Sequence, residues 1–162
     1  MTWRIESSSN SSDEQRFLRR MFERAALASH PGLHKLGRIS QREQLDALFE
    51  DQWDSPRRHL LFAKTASNAW AGALWLRSEI HPVSEDPVWL IVCLAVEAGF
   101  QRQGAGRALL EAAQRFVANN RPAALRLFTH TCNAEAIALY RACGFSPQAV
   151  EYTWQATDRS GC

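Results

Sequence analysis

The sequence predicts a mixed α/β (α+β) fold: one twisted mixed sheet flanked by helices around a central βαβ unit. Three observations carry this prediction. Helical periodicity dominates residues 11–52, short strand-like runs separated by turn residues follow, and residues 88–129 then read strand, helix, strand. A parallel pair needs a crossover of that length, whereas the earlier runs lie close enough for hairpins. At 162 residues and 46% hydrophobic, the chain reads as a single domain over residues 1–156 with a short tail at 157–162. That length is enough to bury a full core.

Residues 2–6 are a candidate first strand, and the serines of 7–12 are polar punctuation. Ser11-Ser12-Asp13-Glu14 has the Ser-x-x-Glu form of a capping box. Phe17, Leu18, Met21, Phe22 and Ala25 form the stripe of the helix that follows, and His30-Pro31-Gly32 stops it. Ser40, with Glu43 three residues on, predicts a second capped helix reaching residue 52. Residues 60–64 and 70–77 read as strands joined through Thr65-Ala66-Ser67-Asn68, and residues 78–87 as a loop. Residues 88–96 are an uninterrupted apolar run, which suits a strand covered on both faces. After Gly104 the period becomes helical, with Ala105, Ala108, Leu109, Ala112, Ala113, Phe116 and Val117 in one stripe, until Arg121-Pro122 ends it. A strand at 124–129, a helix at 133–143 closed by Gly144, and a last strand at 150–154 complete the reading.

The junction at residues 101–107 carries the chemistry. The first turn of a helix has N–H groups without intrahelical partners, and the helix dipole adds positive charge there. Gly104 and Gly106 remove side chains that would hold a phosphate away from those groups, and Arg102 and Arg107 add charge. Packing of helix on strand is the competing reason for glycine at these positions. A dinucleotide fingerprint fails because Leu109 stands at its third small position, and a P-loop fails for want of Gly-Lys-Ser/Thr. Gln101-Arg102-Gln103-Gly104-Ala105-Gly106 does match Gln/Arg-x-x-Gly-x-Gly/Ala. This resembles the acyl-CoA loop of the GNAT superfamily of N-acetyltransferases. Asn133…Leu139-Tyr140…Gly144-Phe145 resembles the segment that closes many of those domains.

The resemblance implies an acetyl-CoA-dependent N-acetyltransferase in which a primary amine attacks the thioester directly, in a ternary complex. In such domains the two parallel strands splay apart, and the pantetheine arm fills the gap like a short strand. The implied cofactor-binding residues are Leu94, Ala95 and Val96 on the strand, Gln101, Arg102, Gln103, Gly104, Ala105, Gly106 and Arg107 on the loop, and Asn133. Tyr140 is implied as the acid for the leaving sulfur. Many members place a carboxylate on one of the splayed strands, and this chain has none there. His130 is the first candidate for the base, with Glu85, Asp86 and Glu97 behind it, and a surface or capping histidine is the alternative. The competing functions are a GNAT-like CoA-binding sensor with weak or no catalysis, and an acyltransferase using a longer acyl chain.

Composition narrows the partners. Net charge is +2, and 17 of the 19 basic residues are arginine. No basic stripe interleaved with aromatics indicates nucleic acid. No run approaches a membrane span, and the start lacks a signal-peptide pattern, so a cytoplasmic protein is expected. Cys93, Cys132, Cys143 and Cys162 form no Cys-x-x-Cys pair. They read as reduced thiols, three packed and one in the tail, with no metal site. Trp75 and Trp89 read as core, with acceptor-cleft lining as the alternative. The acceptor is expected to be a small-molecule or peptide amine, and Glu79, Glu85 and Asp86 point to a cationic one. A homodimer stays open.

Overall fold

The computed structural model describes residues 2–53, 57–81, 85–120 and 124–149. Five strands lie in sequence order across one sheet: β1 (Arg4–Ser7), β2 (Arg58–Lys64), β3 (Trp70–Ile80), β4 (Pro87–Val96) and β5 (Ala124–Leu127). The first four are antiparallel, and β5 runs parallel to β4. The crossover between them is α3 (Ala105–Asn119). Helices α1 (Ser12–Ser29) and α2 (Arg38–Trp53) cover one face, and α3 covers the other with α4 (Ala134–Ala142) beside it.

Strand periodicity explains the two layers. In β2, Leu60 and Phe62 turn to one face while Leu61 and Ala63 turn to the other. The first set packs with Ala73, Trp75 and Cys93 under Phe17, Leu18, Met21 and Phe22 of α1 and Leu45 and Phe49 of α2. The second packs with Leu74, Leu76 and Ile91 under Leu109, Leu110, Ala113 and Val117 of α3. Trp75 is fully buried against Phe22, Phe49 and Trp53, and Trp89 meets Phe116 of α3 at 5.0 Å. Trp75 is therefore core, and Trp89 packs half-buried against the α3-side core.

Several boundaries differ from expectation, each for a local reason. β1 pairs from Arg4↔Lys64 to Ser7↔Leu61, which leaves Trp3 outside the ladder. α2 starts at Arg38, so Ser40 lies within the first turn; the Gly37 carbonyl already accepts the Gln41 N–H at 2.9 Å. β3 and β4 extend into the expected loop because their ladder continues to Ile80↔Pro87. β5 ends at Leu127, two residues early. Of the cysteines, Cys93 is buried, Cys143 half-buried and Cys132 exposed, so three packed thiols was one too many. The expected stop at Arg121-Pro122, the strand at 150–154 and the tail at 157–162 lie outside the described residues. No described helix is long and apolar enough to cross a membrane.

The capping box of α1 is built as its sequence suggests. Ser11 Oγ accepts the Glu14 N–H at 3.2 Å, and the Glu14 carboxylate accepts the Ser11 N–H at 3.2 Å. The same carboxylate takes the Ser8 hydroxyl at 2.7 Å and the Ser9 N–H at 3.0 Å. Burial alone would raise this carboxyl's pKa, but the Ser8, Ser9 and Ser11 hydrogen bonds outweigh it and hold the group below its ordinary 4.5. A depressed folded pKa adds stability above the unfolded value, and that stability is lost as pH falls through the folded one. Glu14→Gln should lower stability at pH 7 by about 1–2 kcal/mol. It should also lose less on acidification below about pH 4.5 than the parent protein. Urea denaturation of both proteins at stepped pH checks this, and parallel curves would refute it.

Candidate active site

β4 and β5 part company halfway along. Their ladder runs from Val88↔Ala124 to Ile91↔Leu127, while β3 stays paired with β4 as far as Gly72↔Val96. Trp75 opposes Cys93 but Leu76 opposes Ile91, so Val92 is an extra, bulged residue at the point of parting. Beyond it no described strand pairs with the β5-facing edge of β4. The Glu97 N–H donates to the Ala71 carbonyl at 2.8 Å, which fixes the alternation of the ladder. Ala95 therefore turns its main-chain groups to β3, whereas Leu94 and Val96 turn theirs to the opening. The Val96 carbonyl is taken by two side chains, Arg24 Nη1 of α1 and Gln101 Nε2, each at 3.2 Å.

The loop after β4 makes a short 3₁₀ turn (Ala98–Phe100) and enters α3 at Gly104. Gly104 has φ 89°, a left-handed conformation that glycine adopts without strain. No side chain caps α3, so its first N–H groups are left for solvent or a ligand. Gly106 has a packing reason as well: a Cβ there would lie 3.1 Å from Leu139 Cδ2 and 3.7 Å from Val96 Cγ2. Ala105 is buried beneath the turn. Gln103 donates its side chain to the Gly99 carbonyl at 2.9 Å and so braces the loop. Arg102 and Arg107 are exposed, and Arg102 lies 3.7 Å from Glu135.

Trp3, like Arg24, is a residue that sequence reasoning missed. Its indole N–H donates to the Gln103 carbonyl at 2.9 Å, and its ring stands edge-on to Phe100 at 5.9 Å. Nothing local signals a contact across 100 residues of sequence.

α4 flanks the opening. Asn133 caps it, its Oδ1 accepting the Ala136 N–H at 3.3 Å. Tyr140, two turns on, packs against Phe145 at 6.0 Å. Burial pushes its phenol up to about 12, and nearby Cys93 adds to the effect. Burial likewise raises the Cys93 thiol to about 12, which keeps it inert. His130 is exposed, and its Nδ1 lies 3.2 Å from the Cys132 N–H and 2.9 Å from Cys132 Sγ. The two contacts favour different tautomers. Accepting the backbone N–H puts the ring proton on Nε2, whereas donating to sulfur leaves Nε2 free as a base. Glu97 is held by Arg24 at 3.0 Å and Arg20 at 3.3 Å. Glu85 and Asp86 precede β4, at the opposite end of that strand from the opening.

The Trp3 bond can be tested without any ligand. Trp3→Phe keeps the ring and deletes the donor, which costs about 1 kcal/mol locally. Amide exchange at residues 101–104 should quicken about fivefold while the global unfolding midpoint stays put. Unchanged exchange would show that the loop is held by other means.

The acetyltransferase (GNAT) family model matches residues 19–145. A mycothiol acetyltransferase of Jonesia denitrificans is 30% identical over 123 residues, covering 75% of this chain and 37% of that protein. The mycothiol acetyltransferase of Clavibacter michiganensis subsp. michiganensis is 32% identical over 130 residues, covering 80% and 39%. The chain thus spans about two fifths of the length of these relatives. A protein of Pyrococcus furiosus superimposes with a TM-score of 0.77 at 16% identity, covering 96% of this chain and 100% of its own. An aminoglycoside acetyltransferase from a soil metagenome, solved with sisomicin, gives 0.66 at 19% identity, covering 96% and 97%. At those identities the likeness is one of fold. With the family match across most of the chain and the parted strands beside a glycine-entered helix, this protein belongs to the acetyltransferase (GNAT) family.

Proposed function

We propose that the protein is an acyltransferase that moves the acetyl group of acetyl-CoA onto a primary amine, by direct attack within a ternary complex. The parting of β4 from β5 after Ile91↔Leu127, beside the uncapped start of α3, carries this reading. Acetyl-CoA supplies a thioester whose carbonyl carbon accepts the amine and whose sulfur leaves. The residues present fit it. Leu94 and Val96 offer strand-like partners to its amide-bearing arm. The N–H groups of α3, with Arg102 and Arg107, suit its pyrophosphate. Asn133 caps α4 through Oδ1, which leaves its amide N–H groups for the arm.

Tyr140 supplies the proton that the departing sulfur needs. Its phenol, raised to about 12 by burial and by Cys93, stays protonated through any ordinary assay pH. It therefore donates without prior activation. The amine's own proton goes to His130 when the Cys132 sulfur holds Nδ1–H, leaving Nε2 to accept it. A second reading, a CoA-binding domain without turnover, draws on the absence of any carboxylate on β4 and β5. Thiol release from acetyl-CoA in the presence of amines separates the two readings.

Tyr140→Phe keeps the ring packing and deletes the donor. CoA affinity should stay within about threefold, while kcat should fall at least about tenfold. That fall corresponds to about 1.4 kcal/mol in the barrier. Stopped-flow turnover with calorimetry on the same samples checks it, and a wild-type rate with chemistry limiting would remove Tyr140 from the mechanism. In His130→Ala, kcat/KM should fall at least about tenfold while CoA affinity holds. An unchanged kcat/KM would assign deprotonation to water.

A further inference from the structure

We propose that the sheet face beside the opening holds a subsite for an anionic group, so that the acceptor amine also carries a carboxylate or a phosphate. The proposal rests on the reading of the protein as an amine acetyltransferase. It comes from the register. Arg58 pairs with Arg77, Arg77 with Leu90 and Leu90 with Arg126, which makes one row across β2, β3, β4 and β5.

Alternation assigns the row to a face. Arg58 stands two residues from Leu60, and Arg77 two from Trp75, both packed under α1 and α2. Leu90 adjoins Ile91, and Arg126 lies between Leu125 and Leu127, all three of which pack on the α3 side. All four members of the row therefore face the α1–α2 side. The core under those helices ends at Leu60, Trp75 and Cys93, so the row lies beyond it. Trp53, the last residue of α2, roofs only one end, its ring 3.8 Å from the Arg58 guanidinium.

Three arginines in one row repel unless something answers their charge. Arg58 is accounted for by the Trp53 ring and by donation to the Trp53 carbonyl at 2.6 Å. Arg77 is paired with Glu79, yet its Nε is a buried donor without a partner among the described residues. Half-buried Arg126 has no ion pair among the described residues; it stands 5.9 Å from the ring of Phe128, which is 74% exposed. Of the acids that pointed to a cationic acceptor, Glu79 is already paired with Arg77, Glu85 precedes β4, and Asp86 lines one cavity with Arg126.

The row also lies where an acceptor has to approach. Tyr140, the acid in the proposed reaction, packs with the α3-side core, and the proposal takes the amine to approach from the α1–α2 side. Leu90 precedes the bulge at Val92 by two residues, about 7 Å along the strand. One small molecule spans that distance, its amine at the opening and its anion on Arg126, with the unpartnered Nε–H of the Glu79-paired Arg77 as a further donor. Guanidinium forks suit carboxylate and phosphate alike, through paired hydrogen bonds.

The test uses two matched pairs of amines: glucosamine 6-phosphate with glucosamine, and an L-amino acid with its amide. Calorimetry on the CoA-saturated protein should give the anionic member of at least one pair about tenfold or more the affinity of its neutral partner. The pair that shows the preference tells phosphate from carboxylate. Arg126→Gln should abolish the preference while leaving the unfolding midpoint and CoA affinity in place, and raised salt should weaken it. Equal affinities within both pairs, or a preference that survives Arg126→Gln, would overturn the subsite. Turnover is read separately: anion-dependent binding without acetyl transfer supports the subsite and refutes the enzyme reading.

Discussion

A strand edge cannot be left bare inside a protein, and this structure is arranged around one that is. Past Ile91 the main chain of β4 has β3 on one side and, among the described residues, no strand on the other. Its polar groups lose the ladder that would satisfy them, and the bulge at Val92 bends the strand where this begins. Everything near the opening answers that deficit. The loop folds back so that Gln101 reaches Val96, α1 sends Arg24 to the same carbonyl, and α3 starts close by because Gly106 permits contact with Leu139.

The two covering layers make the opening asymmetric. On one side, α3 and α4 bring Tyr140 and a buried, apolar surround. On the other, the described core under α1 and α2 ends at Leu60, Trp75 and Cys93, and half-buried Arg77 and Arg126 lie beyond it. A half-buried phenol on one face and a more charged surface on the other suit the proposed transfer between two unlike partners.

The central strand, the glycine-entered helix and the α1 cap were legible because each is a local pattern. An apolar run, a change of period and a Ser-x-x-Glu spacing are all read within a dozen residues. Ser40 shows the limit of such reading: the same spacing occurs there, yet Gly37 takes the first helical bond. Site residues divide in the same way. Gly104 could be read from its place before a helix, but Trp3 and Arg24 reach the site from elements far away in sequence. Ala95 shows a further gap, since which strand residues face the opening depends on a register and a bulge that composition does not encode. The row from Arg58 to Arg126 was hidden for the same reason.

The Val96 carbonyl has two lone pairs, and Arg24 and Gln101 use both. Any chain that settles along β4 as an added strand competes with these two donors for one oxygen. On the proposed reading, such an arm would displace at least one of them. Arg24 belongs to α1 and also holds Glu97, so a displaced Arg24 would keep an anchor at the rim of the opening.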